Sequence, residues 1–305
     1  MTSDRQGSGA GKRVGVMYSK IVVPLDGSKL AEQILPYARL LAEAYAAPIE
    51  LLQVHQPDSH TSYWPPLPNQ EYLKHISARY LPGTLRVDQN EAEGEPADVI
   101  LDRAKRDPAC LIAMATHGLS GIRRWLLGSV ASKVAHGAAN PLLLIRPAEG
   151  LDPGAEIELK TVFVPLDGSG LAEKILPHVV GLAKKLNLEM HILRVFNSPP
   201  ESYMVGEGLY MQPLAGQREV MQKEATTYLD GPAEKLRAAG LKRITSTAID
   251  GHPAEVIIDL AQKTPKSLIA MCTHGRSGVG RWLLGSVAEK VIQHSRNPVL
   301  LLRPQ

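Results

Sequence analysis

The sequence predicts an α/β protein made of two tandem, doubly wound domains of the flavodoxin or Rossmann-like type, each with a five-stranded, mainly parallel sheet. Two observations carry this prediction. The octapeptide RWLLGSVA occurs at 124–131 and again at 281–288, which indicates an internal duplication. In each copy, short apolar runs without polar alternation are separated by helical patterns, and buried strands joined by helices form parallel sheets with right-handed crossovers.

The duplication extends over almost the whole chain. Residues 124–147 and 281–304 agree at about 16 of 24 positions, and VPLDGS begins another matched block in both copies. The VPLDGS blocks are offset by 141 residues and the later blocks by 157, so the second copy has 16 extra residues between Val195 and Gly251. An insertion of this size is expected in a surface loop or a lengthened helix.

A repeat of about 150 residues is long enough for each copy to bury its own core, so the copies are predicted to be domains. The predicted organisation is a disordered leader or tag at 1–16, a first domain at 17–147, a linker at 148–159 and a second domain at 160–305. Because the linker is short, the two domains are expected to pack together.

The predicted elements follow the same order in both copies. In the first copy, strands are expected over 20–25, 49–54, 85–91, 110–115 and 141–145, and helices over 28–46, 95–106 and 128–137. In the second copy, strands are expected over 161–166, 189–195, 244–249, 268–272 and 299–302. The fifth strand of each copy would be an apolar sheet edge, which needs a cover.

Composition and charge exclude several classes of protein. The chain is 44% hydrophobic and 21% charged without an apolar stretch near the roughly 18 residues that span a bilayer, which predicts no membrane partner. Cys110 and Cys272 are unmatched between the copies, so neither a disulfide framework nor a metal site is predicted, and a cytoplasmic location is expected. The formal charge of +3 predicts no nucleic-acid surface.

The strongest motif combines the end of the fourth strand with the start of the next helix. In the first copy, Ala115-Thr-His-Gly118 is followed after nine residues by Gly128-Ser129. In an open α/β sheet, ligands bind outside the carboxyl ends of the strands. Glycine lets a backbone approach a phosphate, and a helix N-terminus favours an anion. The alternative is that Ser129 and Ser286 are only helix N-caps.

A second motif, Asp-Gly-Ser, follows the first strand of each copy at Asp26 and Asp167. These carboxylates can accept a hydrogen bond from an adenine amine or a ribose hydroxyl. Asp-Gly-Ser is equally typical of a turn followed by a helix cap. Loop arginines, which could offset phosphate charge or be solvated, stand at Arg123, Arg124, Arg276 and Arg281.

Together these motifs resemble the universal stress protein family in its tandem two-domain form, over residues 17–304. The resemblance implies a stress-response sensor or regulator that binds ATP or a related adenine nucleotide, with or without Mg²⁺, and hydrolyses it slowly at most. It also implies that the fifth strands pair across a two-fold axis, which makes the chain an intramolecular pseudo-dimer, and that two chains can pair as a homodimer. The implied nucleotide-binding residues of the two copies are Asp26, Val54, Ala115, Gly118, Gly128, Ser129 and Val130, and Asp167, Val195, Cys272, Gly275, Gly285, Ser286 and Val287.

The sequence departs from the family pattern at one position, where the first motif glycine is Ala115 in one copy and Cys272 in the other. If that position needs a positive φ, a β-carbon costs about 1–2 kcal/mol, or roughly ten-fold in affinity. A scaffold or interaction module without a nucleotide is therefore the alternative. An adenine-nucleotide hydrolase or transferase is less favoured, since no P-loop lysine or base for water is present, and no catalytic residue is predicted.

Overall fold

The computed structural model describes residues 18–56, 69–118, 127–198, 203–205, 209–211, 216–273 and 284–304 of the 305-residue chain. Its centre is one ten-stranded sheet, to which each copy contributes five strands. The strands of the first copy are β1 (Ile21–Pro24), β2 (Ile49–His55), β3 (Val87–Glu93), β4 (Leu111–Ala115) and β5 (Leu142–Ile145). They lie in the order β3-β2-β1-β4-β5 and pair in parallel throughout, as the uninterrupted apolar runs predict.

The second copy repeats this arrangement. Its sheet strands are β6 (Thr161–Pro165), β7 (Glu189–Phe196), β10 (Ile244–Asp250), β11 (Ser267–Cys272) and β12 (Val299–Leu302). They lie in the order β10-β7-β6-β11-β12, again in parallel. A separate two-stranded hairpin, β8 (Tyr203–Val205) and β9 (Leu209–Met211), lies within the insertion of the second copy.

The two halves join through their fifth strands. β12 pairs antiparallel with β5, so that Val299 lies opposite Leu144, Leu300 opposite Leu143 and Leu301 opposite Leu142. All these side chains are buried, which means that each apolar edge covers the other. The predicted intramolecular pseudo-dimer is confirmed.

Helices cover both faces of the sheet, as a doubly wound fold requires. One face carries α1 (Lys29–Glu32), α2 (Leu35–Tyr45), α3 (Asn69–Tyr80), α6 (Leu176–Leu186), α7 (Gln217–Ala238) and a 3₁₀ turn (Ala172–Ile175). The other face carries α4 (Pro96–Lys105), α5 (Ser129–Gly137), α8 (Pro253–Lys263) and α9 (Ser286–His294). The hydrophobic core on each face is continuous between the two copies, so the domains are packed together.

Three local features differ from the sequence prediction. The single helix expected over 28–46 is divided into α1 and α2, because Pro36 in the first turn of α2 begins a new helix. Helices α3 and α7, which precede the third strand of each copy, were not predicted. At 22 residues against 12, α7 is the longer of the two, so a lengthened helix accommodates part of the insertion.

The segment between the copies, 148–159, contains no helix or strand, and the main chain of Ala148 exchanges two hydrogen bonds with the amide of Gln33. The exact domain boundaries stay a prediction, and the predicted leader 1–16 lies outside the described residues. No helix in the described part of the chain is long and apolar enough to cross a membrane.

Candidate functional site

The candidate site of each copy lies where the strand order reverses. β1 has β2 on one side and β4 on the other, and β6 has β7 and β11 in the same places. The carboxyl ends of these strand pairs therefore border a crevice of the kind in which open α/β sheets bind ligands. Asp26 and Asp167 follow β1 and β6, and the Thr-His-Gly motifs follow β4 and β11.

The Asp-Gly-Ser turns have the same geometry in both copies. Oδ1 of Asp26 accepts hydrogen bonds from the Ser28 amide at 3.0 Å and the Ser28 hydroxyl at 2.6 Å. Oδ1 of Asp167 accepts the equivalent bonds from Ser169 at 2.9 and 2.6 Å. Ser28 also caps α1 through the amide of Ala31. Oδ1 of each aspartate therefore has the role expected in a turn followed by a helix cap. Because these hydrogen bonds orient the carboxylate, they also determine the position of Oδ2.

The second oxygen of Asp26 lies against the backbone of Gly118. A β-carbon added at Gly118 would stand 1.8 Å from Oδ2 of Asp26, far inside van der Waals contact. Only glycine permits this approach of a carboxylate to the end of β4. The structure thus brings together two of the sequence-predicted residues. Gly275, the counterpart of Gly118, lies outside the described residues, as do the four loop arginines.

The helix that follows each Thr-His-Gly motif is tied to the end of the strand. The amide of Gly128 donates to the carbonyl of Thr116 at 2.9 Å, and the amide of Gly285 donates to the carbonyl of Thr273 at 2.8 Å. A β-carbon at Gly128 would lie 2.9 Å from that Thr116 oxygen, so glycine is needed here for close packing.

The N-cap residues of α5 and α9 are Gly128 and Gly285, and Ser129 and Ser286 are the first helical residues. The interpretation of these serines as N-caps is therefore wrong, because a cap stands one residue before the helix. Both serines are exposed, and no side chain of the described residues caps either helix. The first amides of each helix consequently point toward the crevice. The positive end of the helix dipole lies at the same place.

Ala115 and Cys272 do not carry the strain that a missing glycine suggested. They are the last residues of β4 and β11 and are buried. Outside glycine, positive φ angles in the described ranges occur only at Ala46, Asn187 and Lys266. The condition for a ten-fold penalty, a positive φ at this position, is therefore not met in either copy. Burial raises the pKa of Cys272 to about 12, so its thiol is neutral.

The remaining predicted residues border the same crevice. Val54 and Val195 lie near the carboxyl ends of β2 and β7, and Val130 and Val287 lie in the first turns of α5 and α9. All four valines are half-buried and pack against the core under α4, α5, α8 and α9. They offer an apolar wall beside the polar strand ends.

Sequence reasoning missed a carboxylate–tyrosine pair beside each aspartate. Glu32 is only 1% exposed, and the Tyr72 hydroxyl donates to its Oε1 at 3.4 Å. In the second copy the Tyr228 hydroxyl donates to Oε1 of Glu173 at 3.0 Å. The only signal was the Leu-Ala-Glu shared by both copies, because each tyrosine comes from the unpredicted helix α3 or α7.

Both tyrosines remain protonated donors. Burial raises the pKa of Tyr72, and the carboxylates of Glu32 and Asp26 raise it further. Burial, Glu173 and Asp167 raise the pKa of Tyr228 in the same way. Each hydroxyl therefore lies close enough to the aspartate of its own Asp-Gly-Ser turn to feel its charge.

The side chain of His117 is buried at the end of β4, next to the hydroxyl of Thr116. It is 8% exposed, and its Nδ1 lies 3.0 Å from the hydroxyl of Thr116. Within the described ranges, His, Cys, Asp and Glu side chains form no group of three that could hold a metal ion.

Asp250, the last residue of β10, binds Ser198, which follows β7, and Arg218, in the first turn of α7. The Ser198 amide donates to Oδ1 of Asp250 at 3.0 Å, the Ser198 hydroxyl donates to Oδ2, and Nε of Arg218 lies 3.0 Å from Oδ2. We name this group the Asp250 latch. The hydrogen bonds from Ser198 lower the pKa of Asp250.

The Asp250 latch is expected to open in acid. Because the folded pKa of Asp250 is depressed, its stabilisation is complete above the ordinary value of 3.8 and is lost as the pH falls through the lowered folded value. We expect the protection factor of the Ser198 amide in hydrogen exchange to be constant from about pH 8 to 5 and to fall about ten-fold in acid. The variant Asp250→Asn should show low protection at every pH, and an acid transition that survives in it would contradict the assignment.

Each half of the chain is doubly wound and has a crevice where the strand order reverses, and the two halves share one continuous sheet. These features define a tandem Rossmann-like α/β protein. Comparison with known proteins gives the family. The model described as "Universal stress protein family" matches residues 17–146 and 158–303. The chain belongs to the universal stress protein family.

Relatives match both the single repeat and the whole chain. A universal stress protein of Methanocaldococcus jannaschii is 31% identical over 144 residues, which are 47% of this chain and 82% of the relative. One from Mycobacterium tuberculosis is 24% identical over 313 residues, covering 93% of this chain and 96% of the relative. The crystal structure of a universal stress protein from Archaeoglobus fulgidus has a TM-score of 0.63 at 20% identity, covering 94% of this chain and 98% of that one. This structural likeness supports the fold.

Proposed function

We propose that the chain is a cytoplasmic stress-response protein that binds ATP or a related adenine nucleotide and acts as a sensor or regulator, with slow hydrolysis at most. One observation carries the proposal. In both copies, a helix start that no described side chain caps is tied to the end of the central strand, at 2.9 Å for Gly128 and 2.8 Å for Gly285. Such an arrangement presents backbone donors and a positive dipole end to an anion.

The residues present fit a nucleotide. Ser129 and Val130 would hold the phosphates through their amides, while Gly128, whose own amide donates to the Thr116 carbonyl, would let the helix start approach the end of the strand. Asp26 would accept a hydrogen bond from the base or ribose, and Val54 would contact the base. In the second copy, the same roles are assigned to Gly285, Ser286, Val287, Asp167 and Val195, and Gly275 is proposed from the sequence as the counterpart of Gly118. Ala115 and Cys272 would support the phosphate end from within the sheet.

Titration calorimetry with ATP, in the presence and absence of Mg²⁺, tests the proposal. We expect saturable binding that weakens at least ten-fold in the double variant Asp26→Asn, Asp167→Asn, because each carboxylate acceptor is removed. Asp102→Asn is the charge-matched control, since the Asp102 side chain is 66% exposed and, among the described residues, forms an ion pair with Lys105 alone. A folded protein that releases no heat with ATP and carries no nucleotide by mass spectrometry would refute the proposal.

A scaffold or interaction module without a nucleotide is the second candidate. The observation that favours it is the contact of the Asp26 carboxylate with Gly118, which fills space at the end of β4. The same calorimetry decides between the two candidates, because a scaffold would give no heat with any adenine nucleotide. Sustained turnover of ATP above trace rates would instead support the hydrolase or transferase.

A further inference from the structure

We propose that Arg146 and Arg303 are positioning residues for the phosphate ends of the two crevices, and that each arginine acts on the crevice of the other copy. This inference rests on the proposed function and deepens it, because it makes each nucleotide site depend on both halves of the chain. The two arginines occupy equivalent places, directly after the fifth strand of each copy.

Each arginine crosses the β5–β12 junction and binds the carboxyl end of a helix in the other copy. Nη1 of Arg303, which follows β12, donates to the carbonyl of His136 in the last turn of α5 at 2.9 Å. Nη1 of Arg146, which follows β5, donates to the carbonyl of Gln293 in the last turn of α9 at 3.0 Å. His136 and Gln293 are 157 residues apart, as are the two arginines, so the same contact is made in both directions.

The helices α5 and α9 are the ones whose first turns are proposed to hold the phosphates. The last four carbonyls of an α-helix have no partner within the helix. A cation there satisfies a carbonyl and offsets the negative end of the helix dipole, whose positive end faces the crevice. Because a helix of 9 residues is about 14 Å long, neither arginine reaches the phosphates, and each acts through the helix that it binds.

The amino end of α5 is connected to the arginine that holds α9. The Gly128 amide donates to the carbonyl of Thr116 at 2.9 Å, and the Thr116 amide donates to the carbonyl of Ile145 at 2.8 Å. Ile145 directly precedes Arg146. Two hydrogen bonds and one peptide unit therefore lead from the first crevice to the side chain that binds the end of α9.

The second copy closes this path into a ring. The Gly285 amide donates to the carbonyl of Thr273 at 2.8 Å, and the Thr273 amide donates to the carbonyl of Leu302 at 2.9 Å. Leu302 directly precedes Arg303, which returns to α5. Hydrogen-bond networks joined to rigid elements carry energetic coupling between distant sites. Removing either arginine side chain therefore loosens the phosphate-binding helix of the opposite copy.

Calorimetry with ATP on variants that retain one crevice each tests the inference. In the Asp167→Asn protein, which keeps the first crevice, Arg303→Met should weaken ATP binding about three-fold, and Arg146→Met should leave it unchanged. In the Asp26→Asn protein, which keeps the second crevice, this pattern should be reversed. Methionine retains an unbranched side chain and removes the charge and the donors.

Three comparisons separate positioning from a general loss of stability. Arg303→Lys keeps a cation and a donor, so it should retain most of the affinity of the first crevice for ATP. Adenosine carries no phosphate, so Arg303→Met should not change its affinity. Arg237→Met is the matched control and should change neither crevice, since Arg237 is an exposed cation in the last turn of α7, on the other face of the sheet.

The crossed pattern is what the inference requires. An effect confined to the crevice of the arginine's own copy, an equal loss in both crevices, or no change in either would overturn the inference while nucleotide binding stands. An equal loss for ATP and adenosine in Arg303→Met would overturn it as well. Absence of heat from the unmodified protein with both ATP and adenosine would refute the proposed function itself.

Discussion

Replacing Leu143 with aspartate is expected to destroy the cooperative unfolding of the joined sheet. Leu143 of β5 lies opposite Leu300 of β12, and each side chain is 3% exposed. An aspartate there would place a carboxylate between two halves of the core without a partner, which costs several kcal/mol. Since a domain is stabilised by about 5–15 kcal/mol in total, this loss is a large part of the whole.

Circular dichroism during thermal and urea unfolding measures this effect. Leu143→Ala is the milder variant, which should fold and lose about 2–5 kcal/mol of unfolding free energy. Val220→Asp is the matched control, because Val220 is 56% exposed on α7 and the same change there should stay within about 0.5 kcal/mol. Unfolding of Leu143→Asp at the temperature of the unmodified protein would contradict the β5–β12 pairing.

The buried strands could be predicted because their side chains are apolar on both faces. The run PVLLL predicts β12 with the bounds that the structure has, Val299–Leu302. The outer strand β3 is harder to predict, since its sequence VDQNEAE is polar. Its bounds, Val87–Glu93, accordingly lie two residues beyond the predicted ones. Its register comes from pairing with β2, Val87 opposite Ile49, which the sequence does not reveal.

Helices α3 and α7 were missed because their apolar positions are sparse, as in NQEYLKHISARY of α3. Their existence follows from the topology, because two neighbouring parallel strands need a crossover connection that is usually a helix. The carboxylate–tyrosine pairs depend on these helices. Glu32 and Tyr72 are 40 residues apart, so their contact is a product of tertiary packing.

The strand-end motifs could be placed from the sequence, since parallel strands bring their carboxyl ends to one edge of the sheet. The sequence did not determine which residue begins helix α5, to within one position. Whether Gly128 or Ser129 is the N-cap depends on the hydrogen bond from the Gly128 amide to Thr116, which no local pattern specifies.

Replacing Gly118 with alanine is expected to destabilise the protein by about 1–3 kcal/mol and to abolish binding in the first crevice. The new β-carbon would stand 1.8 Å from Oδ2 and 2.8 Å from Cγ of Asp26, so the carboxylate must leave its place. Oδ1 of that carboxylate also holds the amide and hydroxyl of Ser28, which caps α1. Displacement of Asp26 therefore loosens the turn and removes the acceptor proposed for the nucleotide.

A double-mutant cycle isolates this contact. In the Asp26→Ala background, Gly118→Ala should cost less than about 0.5 kcal/mol, because the clashing carboxylate is gone, so the two changes are strongly non-additive. Gly83→Ala is the control, since no described atom lies within 4 Å of a β-carbon at Gly83. Urea unfolding measures each arm of the cycle. Additive effects of the two changes would mean that the Asp26 carboxylate does not lie against Gly118. The proposed requirement for glycine at the end of β4 would then be refuted.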